Sequence, residues 1–140
     1  GQKVFACPLP EKLLWLERRR YYRVKAPLEH PPRCLIRIEN ETSEFSILDI
    51  SMSGLAVITE NTGFESRIDT GLILDDCKIV FPEYGEGIAT LEIRNKTPGH
   101  KISLKDHVRF GCAFRQVLPA FESTIQRYMQ MIERKRKNAP

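Results

Sequence analysis

From residue 33 onward, apolar and polar side chains alternate in short runs, the period-two signature of strands with one buried face. "CLIRIEN" (34–40) and "EFSILDI" (44–50) are the first two runs, joined by polar residues, and "GLAVIT" (54–59) is a third, entered through Gly54. A loop over "ENTGFESRIDTG" leads to "LILDDCKIVF" (72–81), which is broken at Asp75 and Asp76. In "GIATLEIRN" (87–95), Ala89, Leu91 and Ile93 alternate with Thr90, Glu92 and Arg94. Pro98 and Gly99 supply a turn into "KISLK" (101–105), and "HVRFGCAFRQ" (107–116) sets Val108, Phe110, Cys112 and Phe114 against polar or small neighbours. Short alternating strands separated by Gly and Pro turns predict a mainly-β fold, a six- or seven-stranded antiparallel barrel.

The period changes near residue 118. Leu118, Phe121, Ile125, Tyr128 and Ile132 recur at three- and four-residue steps, which predicts an amphipathic C-terminal α-helix. Pro119 suits its first turn, and the basic run 134–137 complements the dipole at its end. At the other terminus, residues 4–7 are a strand-like scrap with no nearby partner, and residues 8–17 read as a linker arm. The expected division is therefore 1–17, the end of a preceding domain and its linker, and 18–140, a barrel with its C-terminal helix.

A chain of 140 residues that is 41% hydrophobic can bury a substantial core. No apolar run approaches the roughly 20 residues of a membrane span, and no signal-peptide pattern opens the chain. The four cysteines, Cys7, Cys34, Cys77 and Cys112, show no zinc-ligand spacing, so no metal is expected and reduced thiols in a cytoplasmic protein are the reading. The net charge of +4 hides a partition. Residues 18–25 carry five basic side chains and residues 134–137 carry four; without those nine, 13 basic residues face 18 acidic ones. A mildly acidic body with two basic patches suits a local anionic partner better than a coat for duplex DNA.

The first patch, "RRRYYRVK", gathers Arg18, Arg19, Arg20 and Arg23 just before the strands begin. Arginine's planar fork fits phosphate oxygens and the O6/N7 edge of guanine, and it stacks on bases. Between the second and third strands lies "DISMSG" (49–54). In an extended segment Asp49 and Ser51 share a face, and Gly54 allows a positive φ or a close approach to its backbone. The same Asp-x-Ser-x-x-Gly string is also a common turn signal. A carboxylate accepts from guanine's N1–H and exocyclic amine, and a hydroxyl bridges polar atoms of either kind. A ligand containing both phosphates and guanines would use every one of these groups.

Arg19-x-x-x-Arg23 followed by Asp49-x-Ser51-x-x-Gly54 resembles the paired signature of PilZ domains, bacterial receptors for cyclic di-GMP. "FGCAF" near the last strand is also similar to that family, and the resemblance spans residues 18–117. The leading scrap and linker resemble the junction in YcgR-like flagellar brake proteins, where another barrel comes first. The resemblance implies that Arg19 and Arg23 contact phosphate and guanine, that Asp49 and Ser51 read a guanine, and that Gly54 leaves room for it. It implies that Arg18 bears on whether one ligand or an intercalated pair is held; a pair is expected, because its four phosphates need more cations than one ligand does. The function so implied is a second-messenger receptor, without catalysis or cofactor, that passes a change of shape to a protein partner such as a flagellar motor component.

Other readings bear on the same residues. Tyr21 and Tyr22 stack on bases or cover the barrel's open end, and packing is favoured for at least one. His30, His100 and His107 lie near turns without metal spacing and are assigned to the surface. Ser51 or Ser53 with a distant histidine makes no recognisable catalytic group. The rival function is a small barrel binding single-stranded nucleic acid, which would project aromatics from its strands into a basic groove. Phe45, Phe81, Phe110 and Phe114 instead follow the core alternation.

Overall fold

The computed structural model describes residues 22–59, 62–98 and 107–137. Its strands are β1 (Val24–Lys25), β2 (Arg33–Ile38), β3 (Glu41–Ile50), β4 (Gly54–Thr59), β5 (Ile73–Phe81), β6 (Gly85–Pro98) and β7 (Val108–Val117). A single helical turn, α1 (Thr62–Glu65), precedes β5, and the long helix α2 (Pro119–Lys137) follows β7. The strands hydrogen-bond in the order β1-β3-β2-β5-β6-β7-β4, and β4 returns to pair with β3. Six antiparallel strands thus close into a barrel, with β1 added beside the C-terminal half of β3. Among the described residues, closure leaves no long open edge. The strand expected over residues 101–105 and everything before residue 22 lie outside the described residues.

The inward positions follow the sequence alternation, with Phe45, Ile47, Val57, Ile79, Leu91 and Phe110 all buried. Phe64 and Ile68, after β4, fill the barrel end near the β2–β3 turn, where Phe64 meets Phe45 edge-on at 5.9 Å. Arg67 fastens this plug to that turn through ion pairs with Glu39 and Glu41. The opposite end is closed by α2, whose Tyr128 stacks on Phe81 at 4.3 Å. Burial pushes the Tyr128 hydroxyl up to about 12, with Tyr84 as the second cause.

Two acidic sites depart from simple alternation, and both are β-bulges. The expected break at Asp75 and Asp76 is a register shift between Leu74 and Cys77 inside a continuous β5, with Asp76 in the left-handed region at φ 55. In β3, Ser43, Phe45 and Ile47 face inward, so unbroken alternation would bury Asp49. A register shift between Ile47 and Asp49 turns Ile50 inward and leaves Asp49 on the outer face. One extra residue inverts every following side chain. That inversion is what makes a site possible.

The core also gathers Cys34, Cys77 and Cys112, all free thiols. A hydrogen bond to Cys77, and then burial, raise the Cys34 thiol. Burial lifts Cys112 to about 12, with Cys77 raising it further and the charge of Arg23 pulling it down. The Cys34 and Cys112 thiols, raised in this way, stay neutral at ordinary pH, so they pack rather than react. Of the histidines assigned to the surface, His30 is exposed and His100 lies outside the described residues. His107 is instead buried, 9% exposed, at the position just before β7. Nearness to a turn in sequence carried no information about that packing.

Helix α2 reaches the barrel over Gly87 of β6, where a Cβ would lie 2.3 Å from the Phe121 ring. Gly87→Ala is therefore expected to overpack this contact and cost about 1–3 kcal/mol. The readout is a lower urea midpoint with an unchanged slope. An unchanged midpoint would show that Phe121 does not need the space that Gly87 leaves.

Candidate functional site

Residues 22–25 and 49–54 are brought together because β1 pairs with the end of β3, Val24 opposite Ile50 and Lys25 opposite Asp49. Val24 is buried in the core, so its neighbours Arg23 and Lys25 face outward. Arg23 Nη1 donates to Asp49 Oδ1 at 2.7 Å, the pairing of the two segments that the sequence singled out. The second carboxylate oxygen accepts from Arg109 Nη2 of β7 at 3.1 Å. The Asp49 side chain is 13% exposed, while those of Arg23 and Arg109 are 44% and 46% exposed. Both arginines thus keep donors free for another anion, and each carboxylate oxygen keeps acceptor capacity.

Arg109 escaped the sequence reading. Its signal was the polar face of "HVRFGCAFRQ", where Arg109 precedes the small residues Gly111 and Ala113. That signal acquires meaning only once β7 is known to lie beside β4, with Ile58 opposite Arg109. The same pairing runs a row of backbone partners across four strands, Asp49, Ala56, Gly111 and Asn95. With no side chain at Gly111, the Asn95 amide lies across it, 2.6 Å from where a Cβ would be. The outer face next to Asp49 is therefore a shelf of small groups, Ala56 (2% exposed) and Gly111 with the Asn95 amide laid over it, beside the guanidinium groups of Arg23 and Arg109 on the carboxylate.

Ser51 is placed differently from its carboxylate neighbour. Its side chain is buried, 1% exposed, and its Oγ accepts from the backbone N–H groups of Ser53 and Gly54, each at 3.2 Å. The Ser51 hydroxyl also lies 3.0 Å from the Ser53 hydroxyl, and Ser51 N–H donates to the Gly54 carbonyl at 2.8 Å. This is the turn that Asp-x-Ser-x-x-Gly encodes, and it fixes where β3 ends and β4 begins. At Gly54 a Cβ would fall 2.0 Å from the Cys112 carbonyl oxygen, so the close approach anticipated at this glycine is that of the β7 backbone. Of the remaining residues, Arg18, Arg19, Arg20 and Tyr21 lie outside the described residues; Tyr22 is exposed. Among the described residues no group of three His, Cys, Asp or Glu side chains could hold a metal ion.

The family model described as "PilZ domain" matches residues 17–130. The chain belongs to the PilZ domain family. Within it, the chain is 31% identical over 143 residues to the flagellar brake protein YcgR of Azoarcus sp. (strain BH72), a match covering 97% of this chain and 54% of that protein. The PilZ domain described here spans about half the length of the curated relatives it matches. Among solved structures, the fold is similar to the PilZ domain of YcgR from Escherichia coli with c-di-GMP, at TM-score 0.71 and 23% identity over 86% of this chain and 95% of that one. It is similar also to the K. pneumonia MrkH–c-di-GMP complex, at TM-score 0.72 and 26% identity over 86% of this chain and 56% of that one. The expected mainly-β barrel with a C-terminal helix is the fold found.

Proposed function

We propose that this PilZ domain is a receptor for cyclic di-GMP that uses Arg18, Arg19, Arg23, Asp49, Ser51 and Gly54, and Arg109 in addition. The observation that carries the reading is Asp49, held on the outer face between two arginines beside a shelf of small side chains. Guanine can enter edge-on along that shelf and give its N1–H and amine to the free lone pairs of Asp49. Arg23 and Arg109 can then turn spare donors to phosphate without abandoning the carboxylate. Ser51 acts through the turn, holding Asp49 and Gly54 in place.

The matched relatives are named flagellar brake proteins, which supports an output directed at a motility partner, such as a motor component. The match beginning at residue 17 supports a domain boundary near residues 17 and 18, with the preceding arm serving as a linker. The free thiols suit a reducing cytoplasm. A binding role without catalysis is part of this reading, supported by the names of the matched relatives. The single-stranded nucleic-acid reading is not favoured, because Phe45, Phe81 and Phe110 are spent on the core.

The test is a calorimetric titration with cyclic di-GMP beside a single-stranded RNA control. Saturation at two ligands per domain is expected, falling toward one in Arg18→Leu, and no comparable heat is expected from RNA. A wild-type end point of one ligand would remove the stacked pair; no binding would remove the receptor.

A further inference from the structure

On the other side of β1 from Asp49 lies a cleft of about 570 Å³ between the chain following β1, the β5–β6 turn and α2. Its lining includes Tyr128, Met131 and Ile132 of α2, with Tyr84 of the β5–β6 turn beside them. Lys25, Lys135 and Arg136 also line it, all exposed, against two carboxylates, Glu29 and Glu83, and Arg134 and Lys137 of the same last helical turn add to the positive side. No ion pair joins Lys25, Lys135 or Arg136 to another described residue. Tyr84 is 42% exposed, and Leu28, between the lining residues Pro27 and Glu29, is 95% exposed. Apolar side chains left open beside an excess of cations mark a surface made for contact. The C-terminal dipole of α2 accounts for basic residues in its last turn, but it does not account for Lys25, which belongs to another element.

We propose that this cleft docks an acidic segment of a protein partner, inserting one large apolar side chain, and that cyclic di-GMP sets its affinity. The occupant follows from charge and shape. An apolar floor takes an aliphatic or aromatic anchor, while cations on two elements face acidic neighbours of that anchor. Coupling follows from β1, which is only two residues long. Arg23 at its start holds Asp49, and Lys25 at its end lines the cleft. Lys25 is the backbone partner of Asp49, and Ala26 N–H donates to the Leu48 carbonyl at 2.9 Å. A ligand that re-aims Arg23 and Asp49 therefore bears directly on the cleft wall, and by linkage the occupant bears equally on ligand affinity. The coupling rests on the receptor reading above.

The probe is a fluorescein-labelled peptide with one central Phe flanked by four acidic residues on each side. Its controls carry Ser for the Phe, or Lys for the acids, and AMP is tested as a competitor. Fluorescence anisotropy with the wild-type chain is expected to show the acidic Phe peptide binding at least fivefold more tightly than either control. Lys135→Glu with Arg136→Glu should weaken it at least fivefold, as should Tyr84→Ser, while cyclic di-GMP affinity of both variants stays that of the wild type. Saturating cyclic di-GMP should change peptide affinity at least threefold. No binding at about 1 mM peptide, equal binding of the Lys peptide, or full competition by AMP overturns the proposal. So does self-association of the chain that the charge reversal abolishes, which would give the cleft to a second copy. The peptide arms need no cyclic di-GMP, so a failed titration with that ligand removes the receptor reading and the coupling but leaves the docking result to stand or fall separately.

Discussion

Asp49→Ala is expected to weaken cyclic di-GMP binding by about 2–3 kcal/mol, on the order of 30- to 150-fold. The direction matters more than the size. The substitution removes a negative charge next to Arg23 and Arg109, so a site that merely collects polyanions should bind more tightly after it. A site that reads the guanine edge loses the carboxylate that accepts from it and binds more weakly. Isothermal titration of wild type and Asp49→Ala, at one fixed salt concentration, separates the two signs. Tighter binding by the variant would end the guanine-reading assignment.

The structure also predicts how Asp49 couples to its neighbours. Arg23→Ala removes the proposed phosphate contact and one of the two donors that fix the carboxylate at 2.7 and 3.1 Å. Groups that hold one another give non-additive effects. Arg23→Ala combined with Asp49→Ala should therefore cost less than the two single losses added together.

The strands and α2 were legible because their burial is periodic, and a period survives in the bare sequence. Bulges were not, since Asp75 and Asp76 looked like a break, and nothing marked the shift after Ile47 that turns Asp49 outward. The pairing of Arg23 with Asp49 was reachable through motif chemistry, because two segments with complementary donors and acceptors invite it. Arg109 was not reachable in that way. It stands 60 residues from Asp49, and only the closure of β4 onto β7 puts them within reach. The cysteines show the same limit, for Cys34, Cys77 and Cys112 look scattered along the chain but share one core.

Gly54 is the position where the resemblance and the geometry assign different causes to one residue, and a single substitution separates them. The resemblance has the glycine leaving room for a base. The structure has it leaving room for β7, with a Cβ 2.0 Å from the Cys112 carbonyl oxygen and 3.1 Å from the Ala113 Cα. Both obstacles are backbone atoms of a central barrel strand, so no side-chain rotation relieves them. Gly54→Ala must push β4 away from β7 at their first pairing, Gly54 opposite Ala113. The expected cost is about 3 kcal/mol, the upper end for overpacking. Displacement of Gly54 also strains the turn that Ser51 holds, so ligand affinity should fall along with stability. The measurement is a urea melt without ligand, beside a titration at a temperature where the variant is folded. A lower midpoint in the absence of cyclic di-GMP assigns the glycine to barrel closure. A wild-type midpoint with binding alone lost would return Gly54 to the ligand and show that β7 yields where the geometry says it cannot.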